Sequence, residues 1–156
     1  MDLYLMQHGE ATTEAGNPER PLTEAGRAAV QRVSTRARAV GVHVGVCVHS
    51  GKLRAEQTAQ LFVQELGGSA EVFAREGLAP QDAVAPTAQW LRTTTEHDAI
   101  AVIGHLPFLD RLTSLLVAGD ETSQIVRFQM GGLVKLETKD QSEGFVVVWV
   151  LPPEIA

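Results

Sequence analysis

Three of the five histidines stand where apolar runs end. His8 closes Leu3-Tyr4-Leu5-Met6-Gln7, His49 closes Val44-Gly45-Val46-Cys47-Val48, and His105 follows Ala99-Ile100-Ala101-Val102-Ile103-Gly104. A short run of large or β-branched residues punctuated by glycine reads as a buried strand that delivers its last side chain to the sheet edge. Ligands of open α/β sheets bind at that edge, and a glycine there lets backbone or ligand approach closely. Arg54 lies four residues after Ser50, in what reads as the first turn of the next helix, so its guanidinium starts near the same edge. Imidazoles beside a fixed positive charge call for an anionic ligand. A neutral imidazole can attack phosphorus, an arginine fork can hold two phosphoryl oxygens, and a second, protonated histidine adds donor strength toward them. The same residues allow a rival chemistry, because His8, His49 and His105 with Glu10 alongside have the types of a three-histidine metal site.

The elements that must position these residues follow from pattern. After the first strand, a polar loop from Ala11 to Arg20 is long enough to overhang the sheet. Thr23 then caps a helix that runs to about Val40, stops at Gly41 and carries its arginines on a solvated face. A helix from Lys52 to about Leu66 places Ala55, Ala59, Phe62 and Leu66 on one stripe, ending at Gly67-Gly68. Ala70 to Phe73 is a short strand, a weaker helix with Trp90 and Leu91 in its core follows, and Leu106-Pro107 opens another helix. Val126 to Phe128, Leu133 to Leu136 and Phe145 to Leu151 read as β segments separated by Gly131-Gly132 and by a polar turn from Asp140 to Gly144. Lys135 and Lys139 read as solvated charges, and His43 and His97 as exposed loop residues. The strand-helix alternation predicts a three-layer α/β/α sandwich with a mainly parallel sheet and antiparallel C-terminal strands.

Composition narrows the function classes. The 156 residues fit one domain spanning 1–156, and 44% hydrophobic with 21% charged residues is ordinary for a globular chain. The net charge of −6 speaks against nucleic acid and anionic membranes as partners. Cys47, the single cysteine, lies inside an apolar run and reads as a buried small hydrophobe. With no signal-peptide pattern and no apolar stretch of the ~18 residues a membrane span requires, the expected location is cytoplasmic. A monomer is expected.

Four ordered motifs carry a family resemblance. Met6-Gln7-His8-Gly9 resembles the Arg-His-Gly signature of the histidine phosphatase superfamily, which has the phosphoglycerate-mutase-like fold. Pro21-Leu22-Thr23-Glu24-Ala25-Gly26 resembles its Leu-Thr-x-x-Gly helix start, and Ser50-Gly51-Lys52-Leu53-Arg54-Ala55-Glu56-Gln57-Thr58-Ala59 its Ser-Pro-x-x-Arg-Ala-x-Gln-Thr-Ala stretch. Gly104-His105 resembles its late Gly-His. The Arg20-Pro21-Leu22-Thr23 form, Gly77-Leu78-Ala79-Pro80, His105-Leu106-Pro107 and Gly131-Gly132 are most similar to the SixA-type phosphohistidine phosphatases.

The resemblance implies a phosphatase that works through a phosphohistidine intermediate without cofactor or metal. Its substrate would be a phosphorylated protein, above all protein phosphohistidine, or a small phosphorylated molecule. His8 would be the nucleophile, Arg54 a clamp on the phosphoryl oxygens and His105 their second support, with Gly9 beside the nucleophile in the signature. Arg20 would reach in from its loop, Ser50 would line the pocket, and Glu10 is the nearest acid by sequence. Gln7 breaks the signature, since an amide brings no charge where the family has arginine. The alternative readings are therefore a small-molecule phosphomonoesterase and a phosphate-binding module weakened in catalysis. Gly51 also replaces the usual proline, and His49 stands where a smaller residue is usual.

Overall fold

The computed structural model describes residues 1–139 and 144–156. It orders the chain as β1 (Asp2–Gln7), α1 (Glu24–Ala39), β2 (Val46–His49), α2 (Leu53–Leu66), β3 (Glu71–Ala74), α3 (Ala85–Thr93), β4 (Ala99–Gly104), α4 (Phe108–Ala118), β5 (Leu133–Thr138), β6 (Phe145–Leu151) and a closing 3-10 turn, Pro153–Ile155. The six strands form one sheet in the order β3-β2-β4-β1-β5-β6. The first four run parallel, while β5 pairs antiparallel with both β1 and β6. This is the expected three-layer architecture.

The layers follow from alternation along the strands. Leu3 and Leu5 of β1, Val46 and Val48 of β2, and Ile100 and Val102 of β4 share one core with Leu91 of α3 and Leu109 and Leu112 of α4. The intervening Tyr4, Met6, Cys47, Ala101 and Ile103 share the other with Val30 and Val33 of α1 and Ala59 and Phe62 of α2. From β1 the chain crosses through α1 to β2, and from β3 it crosses the other way through α3 to β4. Right-handed crossovers in opposite directions put α1 and α3 on opposite faces, and because the chain leaves β1 and β4 toward opposite sides a crevice opens at their carboxyl ends. Their register places Gln7 opposite Gly104.

Local chemistry sets the helix ends. The Thr23 hydroxyl accepts the Gly26 N–H at 2.9 Å, capping α1, and Gly67 terminates α2 at φ +119°. Arg27, Arg32, Arg36 and Arg38 of α1 are exposed, as expected.

Three expectations need correction. Val126 to Phe128 is not a strand; Val126 and Phe128 are buried and Arg127 between them is exposed, so a loop reproduces the period-two pattern without any ladder partner. The third strand is shifted one residue, to Glu71–Ala74, and lies at the sheet edge. Lys135 is not an ordinary solvated charge: its Nζ lies 3.0 Å from Asp2 and 2.7 Å from Glu137, because β5 lies beside β1. Of the turn from Asp140 to Gly144, residues 140–143 lie outside the described residues.

Candidate active site

His8 is the first residue past β1, and its backbone N–H continues the ladder by donating to the Gly104 carbonyl at 3.0 Å. His105 follows β4 directly, so adjacent parallel strands deliver the two rings side by side, with centroids 5.0 Å apart and planes tilted by 53°. Both are buried. The loop after His8 turns back against α1 because Gly26 has no side chain: a Cβ there would stand 2.1 Å from the Glu10 carbonyl oxygen.

The hydrogen bonds define what each ring can do. His8 Nδ1 lies 2.7 Å from its neighbour's carbonyl, Gly9 O. That acceptor demands a proton on Nδ1, which leaves the Nε2 lone pair available. Arg54 Nε–H approaches Nε2 at 3.3 Å. The Ser50 hydroxyl meets His105 Nε2 at 2.5 Å, while His105 Nδ1 is buried without a partner.

The charges acting on the two rings are all positive. His8 is held below the usual histidine range, first by burial and then by Arg54 and Arg20, against the opposing bond to Gly9. His105 is pushed down to about 3 by burial, His8, Arg54, Lys52 and Arg20. Burial and Arg20 also lower the guanidinium of Arg54. Among the described residues no carboxylate pairs with Arg20, Lys52 or Arg54. Buried imidazoles kept neutral under uncompensated cations make a receptor for a multiply charged anion, whose arrival would offset the positive field.

Each residue expected at the site has a definite place. Arg20 sits at the end of the overhanging loop with φ +53°, a left-handed conformation costly for a residue with a Cβ. Its Nε–H bonds to the Thr12 carbonyl at 3.0 Å. Gly9 N–H donates to Thr58 Oγ1 at 3.0 Å. Gln7 and Glu10 both border a cleft of about 570 Å³ that is walled by α1, Leu106 and Phe128 and that neither ring lines. Glu10 is exposed, and its Oε1 accepts from the Thr23 hydroxyl at 2.7 Å at the start of α1. His49, although buried, is turned to its own loop and accepts the Gly51 N–H on Nδ1 at 3.2 Å.

The three-histidine metal site is not formed. Among the described residues no three His, Cys, Asp or Glu side chains converge as metal ligands must. His8 and His105 have distinct partners in Arg54 and Ser50, and His49 belongs to the end of β2, whose ladder partner is Ile103 and not His105.

Two positioning residues escaped assignment from the sequence. Thr58 accepts from Gly9 N–H and donates to the Arg54 carbonyl at 2.7 Å, tying the loop after His8 to the first turn of α2. Gln57 Oε1 accepts the Leu22 N–H at 2.8 Å and pins the far end of the overhanging loop. Both lie inside the Gln57-Thr58-Ala59 motif, where the available signal was the helical spacing of Thr58 from Ala55 and Phe62, which puts a hydroxyl beside the apolar stripe; the structure buries it fully.

Comparisons agree with this geometry. Residues 3–83 match the model of the histidine phosphatase superfamily, branch 1. An uncharacterized protein of Picosynechococcus sp. is 30% identical over 168 residues, an alignment covering 97% of this chain and 100% of that protein. Among solved structures, the protein histidine phosphatase SixA complexed with tungstate superposes with a TM-score of 0.87 at 25% identity, over 98% of this chain and 97% of that one. The alpha-ribazole phosphatase from Shigella flexneri gives 0.79 at 16% identity, over 97% and 96% of the two chains. A phosphoserine phosphatase mutant from Entamoeba histolytica, in complex with phosphoserine, gives 0.72 at 15% identity, over 99% and 98%. The last two show a shared fold alone.

Proposed function

Because the chain belongs to the histidine phosphatase superfamily, we propose that it is a phosphatase acting on protein phosphohistidine through a phospho-His8 intermediate. The observation that carries this reading is the His8 ring itself: Nδ1 is committed to the Gly9 carbonyl, and the remaining nitrogen meets an arginine beside a second histidine. The likeness to SixA supports phosphohistidine as the substrate class.

His8 Nε2 attacks phosphorus, and the bond from phosphorus to the substrate's ring nitrogen breaks. Arg54 shifts its donors from Nε2 to the phosphoryl oxygens as charge spreads over them, and Arg20 adds a second cation. The P–N electron pair returns to the substrate's ring nitrogen, and with a proton already on its other nitrogen the ring leaves as neutral imidazole, so no dedicated acid is required as it would be for an alkoxide. Water then cleaves the phosphorus bond to Nε2, releasing inorganic phosphate and neutral His8. His105, neutral when the pocket is empty, gains a proton more easily once a phosphoryl dianion lies beside it.

The test is a substrate panel of phosphohistidine peptides, phosphoserine peptides and small phosphomonoesters, with acid-labile label trapped on the protein at short times. Fastest turnover of phosphohistidine, with label on His8, is expected. Preference for the phosphomonoesters overturns the substrate assignment, and turnover without labelled histidine overturns the mechanism. A second reading, a phosphate-binding module with weak catalysis, is favoured by one observation: Gln7 brings no charge to the sheet edge. Micromolar phosphate or vanadate binding without turnover of any substrate would establish it instead.

A further inference from the structure

The phosphoryl site does not end at its two histidines. Leu106, the residue after His105, is 40% exposed and forms, with Phe128, a wall shared by two clefts. One is the cleft bordered by Gln7 and Glu10. The other, of about 500 Å³, runs along the start of α4 and is lined also by Pro107, Asp110, Gln124 and Arg127. Asp110 is the anomaly there. One of its carboxylate oxygens is shielded from solvent without a hydrogen-bond partner, and no cation pairs with the group among the described residues, although Arg127 lines the same cleft. Burial raises this carboxyl above its ordinary range. A shielded, unpartnered carboxylate is costly until a donor reaches it.

The two neighbouring sites therefore have opposite demands. The histidine pocket presents cations and requires an anion, while the cleft beyond Leu106 offers an apolar wall and an unsatisfied carboxylate. We propose that this second cleft docks the polypeptide flanking the phosphorylated histidine, with an apolar side chain against Leu106 and Phe128 and a lysine or arginine on Asp110. The inference rests on the phosphohistidine reading and deepens it. A small phosphomonoester carries the anion alone and stops at Leu106, whereas a polypeptide carries anion, apolar group and cation in sequence. Specificity then arises from a charge pair in a partly shielded cleft, where a wrong sign is penalised more than in water.

The experiment measures binding separately from turnover. Fluorescently labelled peptides carry a non-hydrolysable phosphonate analogue of phosphohistidine, with Lys, Ala or Glu placed two to four residues away. The expected dissociation constants fall in the order Lys tightest, then Ala, then Glu, with about tenfold between Lys and Ala, the size of one charge-assisted contact. Asp110→Asn abolishes the Lys advantage and leaves the Ala peptide unchanged; Asp110→Lys reverses the order. Equal binding of the three peptides, or a Lys preference that survives Asp110→Asn, overturns the proposal, and the peptide series alone decides it should a variant fail to fold. Hydrolysis of the phosphohistidine versions is followed in parallel. Charge preference in binding without hydrolysis removes the phosphatase reading and leaves the docking site; hydrolysis without preference does the reverse.

Discussion

The carboxyl ends of β1 and β4 and the carboxyl end of β2 look alike in sequence and differ in space. Each ends on or just before a histidine next to glycine or serine-glycine, yet only His8 and His105 meet. The difference lies in position along the ladder. His8 and His105 come one residue after their strands, beyond the last paired residues Gln7 and Gly104, where side chains can enter the crevice. His49 is still paired within the sheet, to Ala74 on one side and Ile103 on the other, and its ring serves the next turn. A histidine at a strand end is thus only half a signature; the register of the neighbouring strand supplies the other half.

Substitution at the three histidines sharpens this contrast most. His8→Ala is expected to lower turnover about 10⁴-fold or more with the fold retained, since the adjacent imidazole, His105, has its Nε2 engaged by Ser50 and its Nδ1 buried. Near-normal rates would mean that the converging pair is not the reaction centre.

The missing signature arginine gives the next largest effect. Arg20 already acts on His8, Arg54 and His105, so Arg20→Ala is expected to lower kcat by about 10²-fold, the scale of one lost oxyanion donor. Gln7→Arg should raise kcat and blunt the Arg20→Ala loss. Rate constants for the four variants on one phosphoramidate decide the matter, and strictly additive effects would show that Arg20 does not stand in for the absent charge.

Acid should test the burial of the converging pair through stability, although burial holds His49 below the usual histidine range as well. A histidine whose folded pKa is depressed binds its proton less readily when folded than when unfolded. Its contribution is complete above the unfolded value of about 6.5 and is lost as pH falls through the window below. For His105 that window extends down to about 3. The melting temperature should therefore fall steadily as pH drops below about 6.5, and His105→Gln should flatten the slope. An unchanged slope would show that His105 is not held neutral by its surroundings.

The smallest effect is expected at β2. His49→Ala removes one hydrogen bond to the Gly51 N–H, costing about 1 kcal/mol of stability, while turnover stays within about threefold. A loss comparable to that of His8→Ala would place His49 in the reaction after all.

Much of this molecule was legible in the chain. Apolar runs of period two or unbroken burial mark β1, β2 and β4, Thr23 announces α1, Gly67 closes α2, and the spacing from Ser50 to Arg54 puts a guanidinium at the sheet edge. These are local properties, set by side-chain period, capping and the freedom of glycine, and local physics needs no tertiary partner to be read. Val126 to Phe128 shows the limit, because alternating burial against a core imitates a strand where no ladder exists.

What only the tertiary structure decided is pairing between distant segments. Insertion of β4 between β2 and β1 makes His8 and His105 neighbours and sends His49 to a different role. The bond from Gly9 to Thr58 joins residues 49 positions apart, and the field of Arg20 on Arg54 and His105 spans 34 and 85 positions. Lys135 becomes an ion-pair centre because β5 returns beside β1. Residue types set which chemistry is possible at a strand end; strand order and register, fixed by burial of both sheet faces at once, decide which of those ends share a pocket.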